Sequence, residues 1–219
     1  MSFVHLRVAS GYSFKYGTAK VSDLVERAAE LKMPALALTD REKMAGTIRF
    51  AKSCEEYGVS PILGINLSLV QKKFRVTLLA QSGKLSSLYR FITALNEEES
   101  DGLITNKFLI DNADLAKDLL ITHGPESQLI DGLIKRRPAQ SLEIFNSYRE
   151  IFAEQIIECT THQVAGTGLF STQLAGRSLA FARDNKIPAV ITNAVRMLER
   201  RDGPIADILD SARNLTTLS

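Results

Sequence analysis

The sequence predicts an α/β fold, either a closed β/α barrel or a large open α/β sheet. Three observations carry that prediction. Short β-rich apolar runs alternate with amphipathic stretches over nearly all of the 219 residues. Most of the runs are continuously apolar rather than alternating, as parallel strands covered on both faces are. Polar residues cluster just after several runs, at the strand ends where both architectures gather functional groups.

Seven runs read as parallel-type strands: 3–8, 35–39, 61–70, 74–80, 118–122, 155–160 and 188–192. Helices fill most gaps between them. Ser22 is placed to cap a helix whose apolar stripe is Leu24, Val25, Ala28 and Leu31. A second helix covers 48–57 and is stopped by Gly58. Others are expected at 85–95, 128–134, 142–152, 172–185 and 203–215. The polar segment 96–106 reads as a surface loop, with Glu97-Glu98-Glu99 solvated. One domain over 1–219 is expected. The last helix runs almost to Ser219, so the chain reads as part of something longer.

Composition narrows the class. Hydrophobic residues make up 45% and charged residues 24%, as in ordinary globular domains. A net charge of +2 does not by itself imply nucleic-acid binding. Lys135-Arg136-Arg137 and Arg200-Arg201 read as solvated faces. Cys54 and Cys159 are too few for a disulfide framework and lack zinc-pair spacing, which fits a reducing cytoplasm. No run reaches the ~18 apolar residues of a membrane span, so no membrane partner is expected.

Several motifs fail on inspection. Gly166-Thr167-Gly168 begins like a dinucleotide loop, but Ser171 stands at the third glycine position. There is no phosphate-loop signature, no Gly-x-Ser-x-Gly elbow and no His-Glu-x-x-His helix. Two-metal nucleotidyl transfer needs clustered carboxylates, and no Asp-x-Asp pair exists. What remains is a polar framework. His5 and Arg7 are two apart and share a strand face. Thr39-Asp40-Arg41, Gly64-Ile65-Asn66 and Thr192-Asn193-Ala194-Val195-Arg196 each follow an apolar run. A guanidinium has no lone pair for a metal. Arginine at such places argues for a site that has been switched off.

The run Phe3-Val4-His5-Leu6-Arg7-Val8-Ala9-Ser10-Gly11-Tyr12-Ser13 resembles the Phe-Val-His-Leu-His-x-His-Ser-x-Tyr-Ser opening of the PHP (polymerase and histidinol phosphatase) domain. Asp23-Leu24-Val25-Glu26-Arg27-Ala28 and Met33-Pro34-Ala35-Leu36-Ala37-Leu38-Thr39-Asp40 resemble its next segment. Gly46, Phe50, Pro61-Ile62-Leu63-Gly64 and Leu78-Leu79-Ala80 follow in order. Ile187-Pro188-Ala189-Val190-Ile191-Thr192-Asn193 is similar to the closing Pro-x-Val-Ala-Thr-Asn-Asp-x-His motif. The likeness is to the N-terminal PHP domain of bacterial DNA polymerase III α subunits and their error-prone relatives. It implies a distorted seven-stranded β/α (TIM-like) barrel and polymerase domains lying downstream.

The resemblance also implies a set of ligand positions, and here they are mostly altered. His5 is kept, while the others read Arg7, Tyr16, Arg41, Asn66, Arg75, Ala194 and Arg196. A further position falls near His123-Gly124. With Asp40, these residues are expected to form a vestigial metal-site pocket holding no metal and no catalytic residue. The expected role is a structural, non-catalytic PHP domain within a DNA-directed DNA polymerase of replication or translesion and repair synthesis. No cofactor is expected here, the parent's Mg2+ lying elsewhere. Partners would be the downstream polymerase core, other holoenzyme subunits, and DNA through the parent. Two alternatives stay open: a metal-dependent phosphoesterase or exonuclease with a reduced site using His5, Asp40 and His123, and a nucleic-acid binder using Lys135-Arg136-Arg137 and the arginine pocket.

Overall fold

A computed structural model describes residues 3–69, 74–98 and 102–217. Two compact units divide the chain: 1–65 together with 194–219, and 66–193. In the first unit, β1 (Arg7–Val8) pairs in parallel with β8 (Ala194–Val195). There β2 (Ala35–Leu38) pairs in parallel with β3 (Ser60–Ser68), whose last residues pass into the second unit. Backbone bonds from Ala37 N–H to the His5 carbonyl and from Thr39 N–H to the Val8 carbonyl lay β2 beside the β1 segment.

Helices α1 (Val21–Glu30) and α2 (Thr47–Tyr57) bury Val25, Phe50 and Cys54 against Leu36 and Leu38 of β2. Gly58 ends α2 in the left-handed conformation at φ 69°, as its place in the sequence predicts. Ser22 does not cap α1. Lys20 holds that position without a side-chain bond, and the Ser22 hydroxyl donates to Asp23 instead. Leu31, expected in the apolar stripe, follows the helix and is 53% exposed. A short 3₁₀ turn (Arg200–Asp202) leads into α9 (Gly203–Asn214).

The second unit carries β4 (Arg75–Ala80), β5 (Leu119–His123), β6 (Glu154–Cys159) and β7 (Ala189–Ile191). β5, β6 and β7 run parallel, as expected, but β4 is antiparallel to β5 with Leu78 opposite Ile121. The sequence predicts seven parallel-type strands, and β4 departs from that. β3 and β4 are neighbours across a connection too short for a crossover helix, and a parallel step needs one. The ladders form an open six-stranded order, β2-β3-β4-β5-β6-β7, and a separate β1-β8 pair. Seven strands closed into one barrel are not formed among the described residues.

The helices of this unit are α3 (Leu85–Glu97), α4 (Asn106–Asp111), α5 (Ala113–Ala116), α6 (Gln128–Ile134), α7 (Pro138–Ser147) and α8 (Thr172–Asp184). The expected helix at 142–152 begins earlier, because Pro138 supplies a preset first helical position. Part of the expected loop is helical: α3 reaches Glu97, and the Thr105 hydroxyl caps α4 by accepting from Phe108 N–H. Ser171, which broke the glycine motif, caps α8 in the same way. Leu129, Ile157, Leu174 and Phe181 anchor the core beneath α6 and α8. Val70, at an expected strand end, and Glu99, in the acidic run, lie outside the described residues.

Candidate functional site

The first unit places its polar residues on the loop between β1 and α1 and on the ends of β2 and β8. That loop turns tightly at Gly17, where a Cβ would collide with the carbonyl groups of Ser10 and Ala9. The turn sets the ring of Tyr16, which is 9% exposed, into a basic surround. The Arg41 guanidinium carbon lies 3.4 Å from the ring centroid, that of Arg196 4.8 Å and that of Arg213 5.3 Å. Each such contact contributes about 0.5–2 kcal/mol, more as water is excluded.

Carbonyl and carboxylate oxygens hold two of these arginines in place. Arg196 donates from Nη1 to both Asp210 oxygens at 2.9 and 3.0 Å, and from Nη2 to the Ala206 carbonyl at 2.8 Å. Arg213 pairs with Asp210 at 2.6 Å and donates to the Lys15 carbonyl at 3.1 Å. One carboxylate of α9 thus serves two guanidiniums.

Asp40 is 1% exposed and has its oxygens occupied by neutral donors. It accepts from Ser10 N–H at 2.6 Å, from the Ser10 hydroxyl at 2.8 and 3.0 Å, and from the Ser13 hydroxyl at 2.7 Å. Burial raises its pKa above the usual carboxylate value, and the serine bonds oppose that rise. The Ser13 hydroxyl in turn accepts from Arg41 N–H at 2.9 Å. A Cβ at Gly46 would come 3.3 Å from the carboxylate and 2.8 Å from the Tyr12 ring, so glycine lets both settle there.

His5 is half-buried, its ring edge-on to Phe3 at 4.9 Å, and burial lowers its pKa. Its Nδ1 is buried and has no hydrogen-bond partner among the described residues. Arg7 is buried on β1 opposite Ala194 of β8, a position whose methyl side chain offers no donor atom.

The second unit holds the remaining predicted positions. Arg75 donates from Nε to the Asn66 side-chain oxygen at 2.6 Å, from Nη2 to the Asn66 carbonyl at 2.9 Å and from Nη1 to the Ser68 hydroxyl at 2.6 Å. Asn66 passes the link on to the Thr77 hydroxyl at 2.9 Å. His123 ends β5 fully enclosed. Its Nε2 meets the Gln155 side-chain oxygen at 3.0 Å, and the Gln155 amide donates to the Phe145 carbonyl. Since that amide nitrogen is already a donor, Nε2 carries the ring proton. Desolvation drives the His123 pKa down to about 4.

In the first unit, therefore, Tyr16, Arg41 and Arg196 come together, with Asp40 adjoining through Ser13. In the second, Asn66 and Arg75 are bonded and His123 is tied to Gln155. Sequence reasoning missed Asp210 and Arg213. Their i, i+3 spacing on one helix was the available signal. The thiols of Cys54 and Cys159 are buried and pushed up to about 11, so neither is a ready nucleophile or ligand.

These residues do not fit a metal ion of the kind the PHP resemblance implies. Among the described residues no group of three or more His, Cys, Asp and Glu is placed to hold one. Arginine offers no lone pair, and the Asp40 oxygens are already engaged.

Comparison with known proteins agrees with the resemblance. The PHP domain family matches residues 5–162. The DNA polymerase III subunit alpha of Bacillus subtilis is 30% identical over 211 residues, covering 92% of this chain and 18% of its own length. An error-prone DNA polymerase of Symbiobacterium thermophilum is 45% identical over 95 residues, covering 43% of this chain and 9% of its own. This chain thus spans under a fifth of the length of these relatives. Among solved structures, a Bacteroides vulgatus two-domain protein, described as containing a predicted PHP-like metal-dependent phosphoesterase, superposes with TM-score 0.58 at 11% identity, over 89% of this chain and 52% of its own. A Chromobacterium violaceum amidohydrolase, described with bound sulfate and no metal, does so at TM-score 0.58 and 13% identity, over 89% and 87%.

Proposed function

Because the chain belongs to the PHP domain family and is homologous to the N-terminal region of DNA polymerase III α subunits, we propose that it is a non-catalytic, structural PHP domain of such a subunit. The parent would be a cytoplasmic DNA-directed DNA polymerase, replicative or error-prone, whose Mg2+ chemistry resides in other domains. The observation that carries this reading is the Tyr16 surround. Guanidiniums stacked on a ring and bonded to Asp210 and the Ala206 carbonyl hold strand end, loop and helix together by charge-assisted hydrogen bonds. On α9, Ile205 and Ile208 are 51% and 54% exposed, and we place the contact with the downstream polymerase core on that face. Other holoenzyme subunits and DNA would be met through the parent.

One observation favours a second reading, a reduced metal-dependent phosphoesterase: the His5 Nδ1 is buried and unpartnered. Plasma mass spectrometry of mildly purified protein separates the two. The structural reading expects less than about 0.1 equivalent of zinc, manganese or iron, since a site needs at least three donor ligands. It also expects no aryl phosphate hydrolysis that disappears in His5→Ala. Near-stoichiometric metal together with hydrolysis that depends on His5 would replace it with the enzymatic reading.

A further inference from the structure

A separate cleft opens in the first unit between α1 and α2, on residues that the metal-site framework does not use. Its volume is about 530 Å³, within the ~300–1,000 Å³ of small-molecule sites. Tyr12, Ala19 and Val21 supply an apolar wall, and Lys20, Arg49 and Lys52 bring three cations to it. Arg49 and Lys52 lie three apart on α2 and so share a face. The described residues contain no carboxylate paired with any of the three. Asp23 does not line the cleft and takes the Ser22 hydroxyl. The first turn of α1 also borders the space, and no side chain caps it.

An aromatic and aliphatic wall beside three cations that have no ion-pair partner among the described residues suits a ligand with a planar or apolar body and an anionic end. We infer that this cleft binds a small phosphorylated compound of nucleotide size, with Arg49 and Lys52 on the phosphate and Tyr12 against the body. The phosphate supplies the direct anionic partner that none of the three side chains has among the described residues. The Tyr12 ring, seated on Gly46, offers a fixed surface.

Calorimetric titration of the 219-residue chain tests this with ADP, adenosine and inorganic pyrophosphate, each at low and high salt. ADP is expected to bind, more weakly as salt rises, with adenosine at least tenfold weaker and pyrophosphate retaining part of the affinity. The double variant Arg49→Glu, Lys52→Glu is expected to lose at least tenfold for ADP. Both side chains are exposed, so its melting temperature should stay that of the parent chain. Lys20→Glu, outside α2, is expected to weaken ADP in the same direction. Lys135→Glu, in the other unit, is expected to leave it unchanged. No ADP binding at about 1 mM, the weak end of specific affinity, overturns the inference. So does adenosine binding as tightly as ADP, or an unaltered affinity in the double variant. An oligothymidylate that displaces ADP better than pyrophosphate does would assign the cleft to a polymer backbone and overturn the small-ligand assignment.

Discussion

At His123, burial and one amide determine what the ring does. Its folded pKa of about 4 lies below the ordinary 6.5, so the imidazole is neutral in the fold and takes up a proton on unfolding at mildly acidic pH. Between those values the unfolded chain binds more protons, and stability therefore falls as pH drops from 6.5 towards 4. The full loss is roughly 3 kcal/mol, at about 1.4 kcal/mol per pH unit. Urea melts at neutral and mildly acidic pH should show it, and His123→Gln, which keeps a donor for Gln155, should flatten the difference. An equal fall in the variant would assign the acid sensitivity to other groups. The sequence placed His123 at a strand end, which is where it lies. Its solitude was not legible, because the residue that satisfies it, Gln155, comes from β6, 32 positions away. Asp40 is similar. Its location followed from the apolar run before it, but the two serines that occupy its oxygens are set by how the β1–α1 loop folds back at Gly17.

Among the elements, helix stops and strand cores were readable, while connections were not. Gly58 closes α2 through its own backbone freedom, a local property that the sequence states directly. The antiparallel β4 was hidden because an apolar run has no direction. The α4 helix was hidden because Thr105, its cap, sits in a polar stretch that reads equally as loop. A last helix was legible at 203–215, but the cross-link that α9 makes to Arg196 was not. That link should appear as non-additivity. In a double-mutant cycle of Arg196→Met and Asp210→Asn, the coupling should be about 1–2 kcal/mol by thermal or urea melts, in the range for neighbouring charged hydrogen-bonded groups. Arg196 is 16% exposed at its side chain, so solvent weakens this pair less than the exposed Arg27–Glu30 pair. A coupling near zero would remove the pair as a structural tie.

For the molecule as a whole, the consequence of the donor inventory is indifference to chelation. A fold held by a bound transition metal loses that binding free energy when the ion is withdrawn. Here the groups gathered on Tyr16 are guanidiniums, which have no lone pair to give, and prolonged EDTA treatment should leave the melting temperature within about 1 °C, well inside the shift that 1 kcal/mol produces. A marked drop, reversed by adding zinc or manganese, would show an ion under load. The family was legible over most of the chain, because its apolar runs and their trailing polar residues recur along it in order. The strand order was less so, since it depends on contacts between runs far apart in sequence. The sharing of Asp210 by Arg196 and Arg213 also bears on exchange at any of these arginines. Histidine at 41 would strip Tyr16 of its nearest cation while Asp40 stayed engaged with serines. Loss of the guanidinium at 196 would leave Asp210 beside a single one. Each replacement alone unbalances what the others hold, so the three arginines stand or fall together.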